Sequence, residues 1–319
     1  MGALLSAGML CGCGGAAVVG NNSGGTGGGG GSAAIVVPSV LAHNVDSILY
    51  SARNQTINVT MTGVDSTPAA ASFVRNAALD VPGYEAFTVQ EDALDRFFIA
   101  LAAESADGSV QAGVAGDGGQ FTRFYAGTHY SRTGGFDAPP VTGTGPGTGQ
   151  VSYAGTYAGV TNLGLMRDPD TGAHTIGSDQ TLDVPAGTDE SLFPHQAARV
   201  SGDIFLNANF ADNLVNGAVY NREIVDTNMA LATIYLVDGA IDANGTFTGA
   251  INLEDHTVVG DFAGVFGGTD AASVAGTTHL SGFEDAFDNE EEYGVFVLGQ
   301  CGNSGASSIC DDVAPTLTP

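Results

Sequence analysis

Gly260-Asp-Phe262-Ala-Gly264-Val-Phe266-Gly-Gly268 alternates bare glycines and aromatic rings at every second position. On a β-strand, positions i, i+2 and i+4 share one face. Two further five-residue units repeat the pattern: Gly155-Thr-Tyr157-Ala-Gly159 and Gly245-Thr-Phe247-Thr-Gly249. Each sets one large ring between two Cα positions that carry no side chain. Glycine weakens a strand interior, so three such units need a compensating geometry. A small barrel supplies it, because its strands coil sharply and its interior alternates small and large side chains. The interior expected from this pattern is a packed core rather than a pore.

The surrounding sequence has the same period. Ile204, Leu206, Ala208 and Phe210 share one face of a stretch whose other face carries Asp203, Asn207 and Asn209, with Phe205 the one misfit. That alternation predicts a half-buried antiparallel strand. A polar turn at 211–213 leads to a strand over 214–220, and another follows over 230–237. Asp242-Ala-Asn244-Gly245 reads as a hairpin turn whose Asn-Gly pair takes positive φ at both positions. The last strand runs over 293–299, and no amphipathic helical period stands out between Val151 and Gly299. Close spacing of strand signals points to a sandwich or an up-and-down barrel over 149–300.

Residues 33–148 form a separate candidate unit. The stretch 95–104 has apolar residues at helical spacing (Leu94, Phe97, Phe98, Leu101), yet a strand is favoured there. Asp107-Gly108 follows, then 110–114, then Asp117-Gly118-Gly119, then a strand over Phe121–Tyr125, the sequence of a meander. The Pro-, Gly- and Thr-rich run 139–149 reads as the linker between the two parts.

Gly260 to Gly268, followed by Ala271-Ala-Ser-Val-Ala-Gly276, resembles the signature strand pair in the β-barrel of transferrin-binding protein B-like surface lipoproteins. Residues 153–159 and 219–247 fit the start of such a barrel and its middle hairpins. The resemblance covers about residues 150–300. It implies an all-β fold, with a small N-terminal handle-like β domain followed by an eight-stranded antiparallel up-and-down barrel. The chain has one lobe's worth of sequence where the iron-piracy receptors of that family have two, and their extended handle loops find no match. Transferrin binding is therefore not carried over.

The N-terminus is read independently. It begins MGALLSAGMLCGC, and Leu10-Cys11-Gly12-Cys13 fits a bacterial lipobox, although no Arg or Lys precedes the apolar run. Residues 1–12 are then a lipoprotein signal peptide, and Cys13 is the acylated residue. Residues 13–32 are the lipidated end and its tether, with ten glycines among the eighteen residues from Gly14 to Gly31. A coil of that length reaches roughly 25 Å. Cys301 and Cys310 are left as the candidate disulfide of a C-terminal loop and tail over 301–319, which implies an oxidising compartment; two free thiols are the alternative.

Composition excludes whole classes of function. The chain of 319 residues carries 35 acidic residues against 8 Arg and no Lys, for a net charge of −27. Without Lys there is no Walker A phosphate loop, no Schiff-base lysine and no Ser-Lys hydrolase. The charge argues against nucleic acid and against electrostatic binding to anionic lipid. No apolar run reaches the roughly 18 residues of a spanning helix. Histidines at 43, 129, 174, 195, 256 and 279 fall in no ligand spacing, and there is no Gly-x-Ser-x-Gly elbow. Asp168-Pro-Asp170-Thr-Gly172 lacks the later ligands of an EF-hand and reads as an acidic hairpin tip. Asp288-Asn-Glu290-Glu291-Glu292 reads as a solvated loop, and Arg167, Arg199 and Arg222 as surface partners for nearby carboxylates. Phe121, Phe124, Tyr125, Tyr130 and Phe136 read as the core of the meander before a partner-binding patch.

No catalytic residues, no metal site and no cofactor are assigned, and the chain is read as a non-enzyme. The expected function is a lipid-anchored binding protein of the outer membrane, displayed at the cell surface or on the periplasmic face. It would capture an extracellular protein or small solute through handle and loop surfaces, with no nucleic-acid partner. A structural or adhesive envelope lipoprotein is the alternative, and a secreted hydrolase the third reading.

Overall fold

A computed structural model describes residues 35–64, 69–119, 123–141, 149–165, 180–284, 286–304 and 306–312. Nearly every regular element is a strand. After a single turn of helix, α1 (Ser39–Ala42), come β1 (Val45–Ser51), β2 (Thr56–Met61), β3 (Ala69–Arg75), β4 (Glu85–Val89), β5 (Phe98–Glu104), β6 (Val110–Asp117) and β7 (Ala126–Arg132). These seven form one antiparallel sheet in chain order. The second sheet contains β8 (Gln150–Thr161), β9 (Ala198–Asn209), β10 (Leu214–Ile224), the two-residue β11 (Met229–Ala230), β12 (Ile234–Ile241), β13 (Thr246–Asn252), β14 (Val258–Gly267), β15 (Ser273–Ser281) and β16 (Glu291–Gln300). β16 pairs with β8, β8 with β9 and β9 with β10, so the sheet closes into an eight-stranded up-and-down barrel with β11 appended to β10.

Tyr157, Phe247, Phe262 and Phe266 are all buried inside this barrel. Their geometry differs in one respect from the pattern read along single strands. A ring covers glycine on the neighbouring strand. Phe247 lies opposite Gly264, Phe262 opposite Gly249, and Phe296 opposite Gly276. A Cβ built on Gly264 would fall on the Phe247 ring, one on Gly276 on the Phe296 ring, and one on Gly294 on the Tyr157 hydroxyl. Rings and bare backbone therefore interlock around the barrel, and Phe247 and Phe266 continue the stack with centroids 5.0 Å apart. Gly245 is not part of the ladder. It closes the β12–β13 turn at φ 72°, and it alone of the Asn-Gly pair has positive φ. Asp242 holds that turn, its carboxylate accepting from the amides of Asn244 and Thr246 and from the Thr246 hydroxyl.

Bulges curl the wall, among them one in β10 and one in β12. β10 advances three residues against two of β9 between Tyr220 and Glu223, and β12 does the same against β13 between Val237 and Ala240. Asn221 (φ 50°) and Asp238 (φ 55°) are the left-handed residues within them. An extra residue reverses the alternation beyond it. Val219 points inward, and past the bulge Arg222 and Ile224 do so as well.

The first sheet packs on the outside of the barrel. Ala158, Val160, Ala263, Val265, Ala275 and Val295 face outward from the barrel and join one core with Ile99, Leu101, Val114 and Tyr130. This explains why β5 and β14 are apolar on both faces. The other face of the first sheet closes around Ile48, Val59, Phe73, Phe87 and Phe98. Polar clasps reinforce the contact: the Arg132 guanidinium donates to the carbonyls of Asn244 (2.8 Å) and Phe266 (2.9 Å). The strand expected over 121–125 starts instead at Ala126, and Phe121 lies outside the described residues. Asp117, read as part of a turn, ends β6 buried and paired with Arg96.

Cys301 and Cys310 are bonded to each other. Their loop lies on the outer wall of the barrel, where Cys310 packs with Ala154, Phe205 and Tyr220. Phe205, the misfit in its strand, is thus the ring that seats the loop. A Cys301→Ser/Cys310→Ser variant is expected to unfold with about 2–3 kcal/mol less stability, the chain-entropy value for so short a loop. Urea denaturation of the oxidised chain beside the variant measures it, and equal midpoints would show that the loop is held by Phe205 packing alone.

Candidate functional site

Among the described residues, a buried ion pair occupies the polar end of the barrel interior. Arg222 Nη2 donates to Glu292 Oε2 at 2.7 Å, with both side chains fully buried. Arg222 Nη1 donates to the Ala232 carbonyl at 2.6 Å, and the guanidinium lies 5.5 Å from the Phe283 ring centroid. The Tyr157 hydroxyl donates to Glu292 Oε1 (2.7 Å) and lies 2.8 Å from Thr278 Oγ1. Burial, and then the negative charge of Glu292, push the Tyr157 phenol well above its ordinary pKa, so it remains a donor.

The segment read as a solvated acid loop therefore divides. Glu292 is the innermost partner of Arg222, and Glu290 is buried and accepts the Glu284 amide. Glu291 faces outward, accepts from the Tyr293 hydroxyl (3.1 Å) and lies 3.6 Å from His279 Nε2. The His279 ring beside it, and then the Tyr293 hydroxyl, hold the Glu291 carboxyl below its usual range. Arg199 is no surface cation either: it pairs with the fully buried Asp226 at 2.6 Å. Arg167, His174 and the Asp168–Asp170 tip lie outside the described residues, as do Cys13 and the tether.

Among the described residues, one open concavity sits on the seam between the two sheets. It is a groove of about 350 Å³. One wall is the β5–β6 hairpin tip with Glu104 and Asp107, the other is the disulfide loop with Asn303 and Ser307, and the floor is Gly155, Thr156 and Gly299. The floor lies where pairing of β8 with β16 lapses, between the pairs Tyr157–Phe296 and Ala154–Gly299. The Tyr84 hydroxyl wedges into the gap, donating to the Thr156 carbonyl (2.9 Å) and accepting the Val297 amide (3.1 Å). Burial drives the Tyr84 phenol upward in pKa, which keeps the donor in place.

Asp107 organises the hairpin wall. Its Oδ1 accepts from Ser105 (2.6 Å), from the Ser109 hydroxyl (2.8 Å) and amide (3.1 Å), and from Ser273 of the barrel (3.1 Å). Burial pulls this carboxyl upward, but the serine hydrogen bonds outweigh it and leave the group below its usual pKa. The wall is therefore anionic across the neutral range. Among the described residues no three His, Cys, Asp or Glu side chains converge as metal ligands.

The groove escaped sequence reading because its parts come from five separated segments. Asp107-Gly108 was legible as a turn, and Cys301 with Cys310 as a loop, but nothing in the order of residues places one beside the other.

Fold and seam together define a two-part all-β protein, a curled seven-stranded sheet packed on a closed barrel, with an open cleft between them. No family model and no curated protein matches the chain. Among solved structures it is similar to transferrin-binding protein B, the family named from residues 260–276. A double mutant of that protein from Haemophilus parasuis Hp5 aligns at 12% identity and TM-score 0.37, over 79% of this chain and 52% of that one. The intact Ap-TbpB, with N and C lobes, aligns at 13% and 0.38, over 79% and 53%. The isotype 1 protein from serogroup B Neisseria meningitidis aligns at 11% and 0.34, over 80% and 52%. The chain spans about half the length of these structures.

Proposed function

We propose that this chain is a non-catalytic binding protein, anchored in the outer membrane by lipid on Cys13 and held off it by the tether of residues 14–31. It captures a small solute or a segment of an extracellular protein at the seam and the loops around it. The observation that carries this reading is the filled barrel. Rings interlock with bare backbone, and the polar end is closed by a paired Arg222 and Glu292, so recognition falls to the outside of the molecule. The lipobox and the glycine-rich run support display at a membrane. Acyl chains contribute about 0.8 kcal/mol per buried CH₂, enough for firm anchoring without a spanning segment.

Metabolic labelling with an alkyne fatty acid tests the anchor. The wild-type chain is expected to take up label and partition with membranes, and Cys13→Ser to lose both. Protease added to intact cells then reports the face on which the protein is displayed. Label retained in Cys13→Ser would overturn the anchoring residue.

A further inference from the structure

One pair of the barrel wall is split by a side chain from the other sheet. β8 and β16 keep the same register on both sides of the lapse, with Tyr157 opposite Phe296, Ala154 opposite Gly299 and no bulge between. The ladder runs on beyond it, where the Cys301 amide donates to the Ser152 carbonyl at 2.8 Å. Antiparallel strands point their backbone groups at a given neighbour on every second residue. Val297 therefore points at β8 as Cys301 does, and in this register it faces Thr156. A continuous ladder would carry its amide straight onto the Thr156 carbonyl. Instead the amide donates to the Tyr84 hydroxyl (3.1 Å), which donates on to that carbonyl (2.9 Å). Two hydrogen bonds in series stand where the ladder would have one.

We propose that Tyr84 is a wedge: its hydroxyl holds the β8–β16 seam open, and without it the two strands zip together and the groove closes. The exchange is balanced in hydrogen bonds. Once the hydroxyl is gone, the Val297 amide reaches the Thr156 carbonyl directly, so neither group is left buried and unpaired, the state that would otherwise oppose the change. Gly155 and Gly299 lie beside the parted pair, and glycine leaves the backbone freer to shift. Wedge and groove occupy one place, because Thr156, Val297 and Gly83 all line the groove. A tight turn carries the wedge. Val81 and Tyr84 exchange backbone hydrogen bonds (2.8 and 3.3 Å), and Gly83 between them has φ 86°. A Cβ on Gly83 would fall on the Thr156 hydroxyl, so a bare residue there lets the turn press against β8. The groove then exists only where the first sheet is seated on the barrel. On the reading that the seam captures a solute, a partner that draws the 81–84 turn off the barrel also empties the groove.

Tyr84→Phe keeps the ring and removes the hydroxyl. NMR of the isotope-labelled full chain in detergent reads the seam directly, through the scalar coupling that crosses an N–H···O=C hydrogen bond. The wild type is expected to show no coupling between the Val297 amide and the Thr156 carbonyl, and Tyr84→Phe to show one. Exchange of the Val297 amide is expected to stay within about threefold of wild type, since it is hydrogen-bonded in both seams. No coupling in Tyr84→Phe overturns the proposal; a Val297 amide exchanging at least about tenfold faster would then mark Tyr84 as the filler of a seam that something else holds open. A coupling already present in the wild type overturns it as well. Tyr84→Leu occupies the same apolar site without a hydroxyl and gives the same comparison if Tyr84→Phe does not fold. The readout involves no ligand, so its failure leaves capture at the seam standing, and failure of capture leaves the wedge standing.

Discussion

Glu292→Leu is expected to destabilise the chain by about 3–5 kcal/mol, the usual consequence of stripping one partner from a buried ion pair. Arg222 would remain inside the barrel with its charge uncompensated, since its other hydrogen bond goes to a neutral carbonyl, that of Ala232. The Tyr157 hydroxyl would lose its acceptor at the same time and keep only the Thr278 hydroxyl. In a domain of this size each kcal/mol shifts Tm by roughly 2–4 °C, so calorimetry should show a fall on the order of 10 °C. The double variant Arg222→Met/Glu292→Leu is expected to recover most of the loss, because apolar side chains of similar volume avoid the desolvation of two charges. Recovery would show that the pair specifies the arrangement of the barrel end more than it stabilises it. A Glu292→Leu chain within 1 kcal/mol of wild type would mean that water reaches the pair.

A second large effect is expected from Gly276→Val. A Cβ at this position falls on the Phe296 ring and comes within 2.6 Å of the Ala263 carbonyl. The ring is fully buried and the carbonyl belongs to the paired β14–β15 ladder, so neither can retreat cheaply. Overpacking usually costs 1–3 kcal/mol and occasionally more, and this site combines a ring clash with a backbone clash, so about 3 kcal/mol is expected. Gly299→Ala is the matched control, because its Cβ meets open space; it should stay within about 0.5 kcal/mol of wild type. Combining Gly276→Val with Phe296→Leu should return part of the loss. Urea midpoints at constant m separate these cases. If Gly276→Val and Gly299→Ala behaved alike, the interlocking of rings with bare strands would be wrong.

Both predictions fall on features that were unequally legible. The rings of 260–266 announce a tightly curved sheet because period two is a local property of the chain. Which glycine each ring covers is a matter of register between strands, and no single segment contains it. Glu292 could have been found: carrying the alternation of Phe296 and Leu298 back through Gly294 sets it on the inner face. It was hidden by its acidic neighbours, whose composition reads as solvent-exposed. Arg222 could not have been found in that way. One left-handed residue at Asn221 reverses the alternation of β10, and strict period two would have pointed Arg222 outward.

The same division holds for the whole molecule. By itself the sequence determined an all-β chain with a filled, sharply coiled barrel, since hydrophobic period and ring–glycine alternation act over a few residues. It also marked the cysteines that close the C-terminal loop. Tertiary structure alone decided that small outward residues such as Ala158, Ala263 and Ala275 form a bed for the first sheet, and that a hairpin tip and a disulfide loop meet over a bare glycine floor. Burial and electrostatics depend on what approaches from elsewhere in the chain, so the charges that define both the barrel end and the groove took their meaning only once distant segments were brought together.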